Sequence, residues 1–142
     1  MRIILALACL ATPATAWEFT PSPICTLTDS SDAATITVTY DASLPEYSVT
    51  LTLPDGSWAD DTRFVMTFAG NRPGQIRTDR HQISPDGRSL RVTDSGFGNV
   101  LDGLEFNQRL YATTGTTTLG LSLDGIGPAM RAFRACPDAN LA

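Results

Sequence analysis

The sequence predicts a mainly β protein: a single antiparallel β-sandwich or half-open barrel, with a short helix and a C-terminal helix. Segments that alternate apolar and polar residues recur along the chain, and turn motifs rich in proline and glycine separate them. Two segments show the spacing of a helix instead. The chain has 142 residues, and we place one β-rich domain at residues 17–142.

The strand predictions depend on a period of two. Residues 34–40 place apolar side chains on one face and threonines on the other, and residues 47–53 repeat the pattern. Residues 63–68 follow, with two phenylalanines and a methionine on one face. Shorter strands are predicted at residues 75–78, 81–84, 89–93, 109–113 and 117–123, with a turn at residues 85–87.

The first predicted helix covers residues 98–106. Val100, Leu101 and Leu104 follow the helical period, and Gly103 weakens the helix because glycine has a low helix propensity.

The second predicted helix covers residues 127–136. It begins with Pro128, which suits a first helical position, and we expect Pro137 to end it. Arg131 and Arg134 are expected to point to water, with Arg134 also placed to interact with the helix dipole.

The N-terminal sixteen residues have the pattern of an export signal. Arg2 supplies a positive charge, residues 3–10 a short apolar core, and Ala14-Thr15-Ala16 the small residues of a cleavage site, so the mature chain would begin at Trp17. The apolar run is too short to span a membrane. We therefore expect a periplasmic or secreted protein, cleaved near Ala16.

The cysteines predict one disulfide bond. Cys9 would leave with the signal, so Cys25 and Cys136 remain, one near each end of the domain, in an oxidising compartment. We interpret residues 17–19 as an N-terminal arm that the Cys25 bond holds in place.

The charge pattern argues against nucleic acid and anionic membranes as partners. The ten basic residues are all arginine, and fifteen acidic residues are interspersed among them. This leaves no basic patch that would neutralise phosphate groups.

Asp79 and His81 are weak candidates for catalysis, because a carboxylate beside the single histidine is a pairing that general bases use. Polar residues at a hairpin edge explain the pair as well. One histidine does not make a metal site, and no cofactor motif occurs, so we expect neither metal nor cofactor.

Four further aspartates are assigned to loops: Asp29, Asp32, Asp60 and Asp61. A pair of carboxylates is the catalytic apparatus of glycosidases. Solvation and local turn formation are the simpler explanation of these residues.

Two surfaces are candidates for binding. One is the threonine face of the predicted sheet, centred on Thr37 and Thr39 and including Thr35, Thr50 and Thr52. The other is the loop around Trp58, whose indole would anchor a ligand or partner if exposed and would complete the core if buried.

Three stretches of the chain carry a resemblance to other proteins. Residues 17–25, 96–104 and 123–136 resemble a group of small exported proteins of alphaproteobacteria, some labelled as an excinuclease B subunit. This sequence lacks the phosphate-binding loop that such a subunit would need, and it contains no lysine to complete one.

The part of the chain from Val100 to Cys136 is also distantly similar to the invasion-associated locus B family. That likeness implies a β-rich periplasmic domain closed by a short helix, a hairpin and a final helix, and it implies fold more than activity.

We therefore expect a monomeric, non-enzymatic binding or accessory module of the cell envelope, which takes an envelope protein or a small ligand. The alternatives are a hydrolase-type enzyme that uses Asp79 and His81, and a purely structural envelope component.

Overall fold

The computed structural model describes residues 17–139, with side chains as far as Pro137. The predicted signal, residues 1–16, lies outside the described residues. The strands are β1 (Glu18–Thr20), β2 (Cys25–Ser30), β3 (Thr35–Asp41), β4 (Glu46–Thr52), β5 (Phe64–Gly70), β6 (Gly74–Thr78), β7 (Gln82–Ile83), β8 (Ser89–Asp94), β9 (Asn107–Thr114) and β10 (Thr117–Ser122). The helices are α1 (Gly98–Glu105) and α2 (Gly127–Ala139).

The strands form two separate antiparallel sheets. A six-stranded sheet has the order β1-β2-β3-β4-β8-β7, and a four-stranded sheet has the order β10-β9-β5-β6. Each pair of neighbouring strands is antiparallel. The prediction of a mainly β sandwich is confirmed, and the two sheets do not close into a barrel.

The apolar side chains of the alternating strands meet between the sheets. Ile36 and Val38 of β3 are completely buried, and so are their counterparts on β4. Phe64 and Met66 of β5 face them from the other sheet, with at most 2% of their surface exposed. Burying one face of each sheet in this way is what the period-two pattern encodes.

The hairpin turn before β8 depends on a local backbone requirement. Gly87 has a φ of +76°, a conformation that residues with a Cβ rarely adopt, and its amide donates to the Ser84 carbonyl at 2.8 Å. Asp86 accepts hydrogen bonds from the Ser84 hydroxyl at 2.6 Å and from the Arg88 amide at 3.0 Å. These bonds favour the ionised carboxylate and lower the pKa of Asp86.

The N-terminal segment differs from the prediction of a simple arm. Its residues form β1, an edge strand that pairs with β2, and β2 was not predicted at all. β2 does alternate, with Cys25, Leu27 and Asp29 buried between threonines. The aspartate at a core position concealed this pattern, because a strand's inward face is expected to be apolar.

Helix α1 packs closely on the four-stranded sheet. A Cβ built on Gly103 would lie 2.5 Å from the Phe68 ring, so glycine lets the helix approach β5. Gly103 therefore lowers the helix propensity of α1 but permits the close packing of α1 on β5.

Helix α2 departs from its prediction in two ways. It continues through Pro137 to Ala139, because a proline in the last turn removes only one amide donor. Arg134 does not point to water: its guanidinium makes ion pairs of 2.7 Å with Asp102 and with Glu105, and these tie α2 to α1. In the described part of the chain, neither helix is both long and apolar enough to cross a membrane.

The predicted disulfide between Cys25 and Cys136 is confirmed. The two Cα atoms lie 6.1 Å apart, and the bond joins the start of β2 to α2 across 111 residues of sequence. Both cysteines are buried. The bond thus fixes the C-terminal helix to the sheet that contains the N-terminal strand.

We predict that replacing both cysteines with serine lowers the free energy of unfolding by about 4 kcal/mol, because a loop of this length loses much of its unfolded-state entropy when closed. Urea unfolding followed by circular dichroism measures the change. The reduced wild-type protein is the control and should unfold at the same urea concentration as the double variant. Equal stability of the oxidised wild type and the double variant would contradict the structural role.

Candidate functional site

One cavity of the described structure opens at the edge of the sandwich where β7 ends. β7 pairs with only Leu90 and Arg91 of β8, so the last residues of β8 have no further strand beside them in the described structure. β6 of the other sheet lies across the gap. Since the two sheets share no strand, nothing closes this edge, and a cleft remains between them.

The cleft has a volume of about 320 Å³, near the lower end for small-molecule sites. Its inner wall is apolar and comes from both sheets and from the start of α1. The apolar lining residues are Val49, Phe64, Met66, Ile76, Val92, Phe97 and Val100. An adjoining cavity of about 250 Å³ shares Ile76 and Asn99 with it and extends along α1 to Asp102 and Gly103.

The mouth of the cleft carries its charged residues. Arg80 precedes β7, and its Nη2 lies 3.4 Å from Oδ2 of Asp94, the last residue of β8. These side chains are 74% and 44% exposed, so the attraction between them is screened by water and weak. Arg77 also lines the cleft, and its Nε donates to Oε1 of Gln75 at 2.9 Å. Two arginines and one aspartate therefore stand beside the apolar lining residues.

Stacked rings stabilise the inner end of the cleft. Phe97 is 4% exposed and lies just before α1, and the Tyr47 ring stacks on it with centroids 5.5 Å apart. Tyr47 in turn contacts Phe133 of α2 at 6.3 Å. This wall is therefore supported by packing that reaches the C-terminal helix, so the cleft is formed in advance of any ligand.

Asp79 and His81 lie together at a second, more open cavity of about 550 Å³, which Asp60 and Asp61 also line. Within the described structure, no hydrogen bond or ion pair joins Asp79 to His81. Instead, Nε2 of His81 lies 2.9 Å from the backbone oxygen of Asp61 and must be the donor. The two residues thus line one cavity, but the carboxylate does not orient the imidazole.

The surroundings of His81 explain its position. The ring is partly buried against Phe64, with centroids 5.9 Å apart, and Nδ1 is buried without a hydrogen-bond partner. No group of three or more histidine, cysteine, aspartate or glutamate side chains among the described residues is arranged to hold a metal ion. The arrangement fastens the loop at Asp61 to the β6–β7 connection.

Trp58 is buried, with 3% of its surface exposed, so it does not form a binding surface. Its indole N–H donates to the Leu51 carbonyl at 3.1 Å, and its ring meets Phe64 edge-on at 6.3 Å. Of the two interpretations of this residue, the one as part of the core is correct, because the loop after β4 folds back over the sheet.

The threonine face lies on the outer surface of the six-stranded sheet, as predicted. Thr37 and Thr39 are partly exposed there, and each lies beside a hydroxyl on a neighbouring strand. The Oγ1 atoms of Thr28 and Thr37 are 3.3 Å apart, and Thr39 bonds to the hydroxyl of Ser48. These cross-strand pairs account for much of the hydrogen bonding on this face.

The position of Asp29 differs from its predicted position more than that of any other candidate residue. It was assigned to a loop, but it lies in β2 with its side chain toward the core and 7% of its surface exposed. Its Oδ1 is buried without a hydrogen-bond partner, and burial raises the pKa of the carboxyl group. The alternation of Cys25, Leu27 and Asp29 was the signal that could have located it.

No protein-family model, curated protein or solved structure matches this chain. The resemblances to small exported proteins and to the invasion-associated locus B family stay predictions. The function must therefore be argued from the cavities, charges and contacts described above.

We predict that His81→Ala lowers the free energy of unfolding by about 1–2 kcal/mol, because it removes one hydrogen bond and a ring contact with Phe64. Urea unfolding measures this change. Ligand binding in the cleft should be unaffected, since His81 lines the other cavity. A wild-type hydrolytic activity that His81→Ala abolishes, with stability unchanged, would instead support the enzyme alternative.

Proposed function

We propose that this chain is an exported binding protein of the cell envelope, and that it holds a small anionic amphiphile in the cleft between its sheets. The observation that carries this proposal is a cleft of about 320 Å³ whose lining combines seven apolar side chains with two arginines. The disulfide bond supports export, because such bonds persist in oxidising compartments.

The apolar wall supports a ligand with a hydrocarbon portion. Each buried methylene group contributes about 0.8 kcal/mol, and seven apolar side chains line the cleft. The volume is about twice that of the ~150 Å³ cavity that accepts benzene. A short alkyl chain or a single ring with a side chain suits this space.

The mouth supports a negative charge on the ligand. Arg77 and Arg80 outnumber Asp94 there, although the whole chain has a formal charge of −5. Because the Arg80–Asp94 pair is exposed and weak, a ligand carboxylate or phosphate can replace Asp94 as the partner of Arg80. The ligand would then place its chain inward and its charged group at the rim.

We predict that octanoate raises the melting temperature of the protein in a saturable manner, whereas octylamine does not. Arg80→Gln should weaken octanoate binding on the order of tenfold, the effect of losing one charge-assisted hydrogen bond. Isothermal titration calorimetry measures the affinities.

Arg91→Gln is the matched control, because Arg91 is an exposed arginine on β8 that does not line the cleft. It should bind octanoate as the wild type does. Equal responses to octanoate and octylamine, or equal losses in the two arginine variants, would contradict the proposed orientation. No saturable binding of either probe would contradict the proposed ligand class.

A further inference from the structure

Asp29 occupies a position that a carboxylate rarely fills without a cation. Its side chain is 93% buried, since 7% of its surface is exposed, and one carboxylate oxygen lacks a hydrogen-bond partner. On β3, Ile36 is its direct neighbour and is completely buried. In the described structure no ion pair includes Asp29. Charge at such a site is costly unless it is paired.

The strand register shows what lies on the other side of Asp29. Glu18 of β1 pairs with Thr28 of β2, and continuing this antiparallel register by one residue places Trp17 opposite Asp29. Residues opposite one another in antiparallel strands have Cα atoms about 4.5–5.5 Å apart, and their side chains share a face. Trp17 is itself buried, with 6% of its surface exposed.

We infer that cleavage of the bond between Ala16 and Trp17 creates the cation that Asp29 lacks, so that the new α-ammonium group of Trp17 becomes its ion-pair partner. This inference depends on the export step of the proposed function. Water hydrolyses the peptide bond: its oxygen joins the Ala16 carbonyl carbon to form a carboxylate, and the Trp17 nitrogen becomes an amine that is protonated at neutral pH.

The same change gives the precursor and the mature protein different stabilities. Before cleavage the Trp17 nitrogen is a neutral amide, and the burial of Asp29 favours its protonated form. After cleavage an ammonium group and a carboxylate face each other at the edge of a sheet, where their attraction exceeds that of an exposed pair. The native fold is therefore completed by processing, after export.

The absence of lysine makes this pair directly measurable. A chain that begins at Trp17 contains nine arginines and no lysine, so its α-amino group is the one primary amine. An acylating reagent such as sulfo-N-hydroxysuccinimide acetate reports on that group alone. The reagent reacts with the unprotonated amine. An ion pair with Asp29 raises the pKa of the amine and so lowers the unprotonated fraction, and a rise of one pKa unit corresponds to a tenfold lower rate of acylation.

The first experiment compares acylation rates of three folded proteins that begin at Trp17: wild type, Asp29→Asn and Glu18→Gln. We expect Asp29→Asn to react on the order of ten times faster than wild type. Glu18→Gln is the matched control, because Glu18 is an exposed carboxylate one residue from the amine. Its rate should equal that of wild type. Equal rates for wild type and Asp29→Asn would overturn the inference.

A second experiment covers the case in which Asp29→Asn disturbs the fold. Melting temperatures are measured with and without Asp29→Asn, in proteins that begin at Trp17 and in proteins with Gly-Ser before Trp17. We expect Asp29→Asn to lower the melting temperature on the order of 5 °C in the first background and by less than half of that in the second. Equal losses in both backgrounds would show a structural role alone.

The N-terminus of the protein recovered from the periplasm of an expressing cell is identified separately by mass spectrometry. A different N-terminus would show that the chain is not cleaved between Ala16 and Trp17. The acylation and melting measurements would still test the ion pair, because they use proteins whose N-terminus is defined.

Discussion

The structure depends on the packing of two apolar sheet faces against each other. In the described part of the chain, no strand belongs to both sheets, so hydrogen bonds between strands do not hold the sheets together. Side chains such as Phe64 and Leu51 do so instead, and they are almost completely buried. Where side chains do not fill the space between the two sheets, a cavity remains.

Helices and strands cover some edges of the sandwich more completely than others. α2 packs on β1 and β2, where the disulfide bond and the ion pairs of Arg134 hold it in place. At another edge, β7 is only two residues long and leaves the end of β8 uncovered. The cleft is thus present because β7 ends after two residues and does not cover the end of β8. Arg80 lines it because the β6–β7 connection crosses that gap, and Arg77 comes from β6 itself.

The sequence was sufficient to predict most of the strands and both helices. The sequences of β3 and β4 alternate, so their inward faces follow from the pattern, although Ser48 of β4 is buried as well. The cysteines were sufficient to predict the bond between Cys25 and Cys136. β2 was not predicted because Asp29 occupies an inward position in that strand, where an apolar residue is expected. Asp29 is also the residue that we pair with the α-ammonium group of Trp17.

The site was much harder to predict from the sequence. The cleft combines Ile76 of β6, Val92 of β8 and Phe97, and their proximity depends on which strands share a sheet, which no local pattern encodes. The burial of Trp58 depends on the path of a loop, and the partner of His81 is a backbone carbonyl that any residue could supply. Residue types alone therefore did not indicate the cleft between the sheets.

We propose the cleft between the two sheets as the ligand site, and binding there can be located residue by residue. The most direct test is a titration of the ¹⁵N-labelled protein with octanoate, followed by two-dimensional NMR. We expect the saturating shifts to centre on the backbone amides of Ile76, Val92 and Phe97. Shifts centred on Thr37 and Thr39, or on the His81 connection, would contradict it.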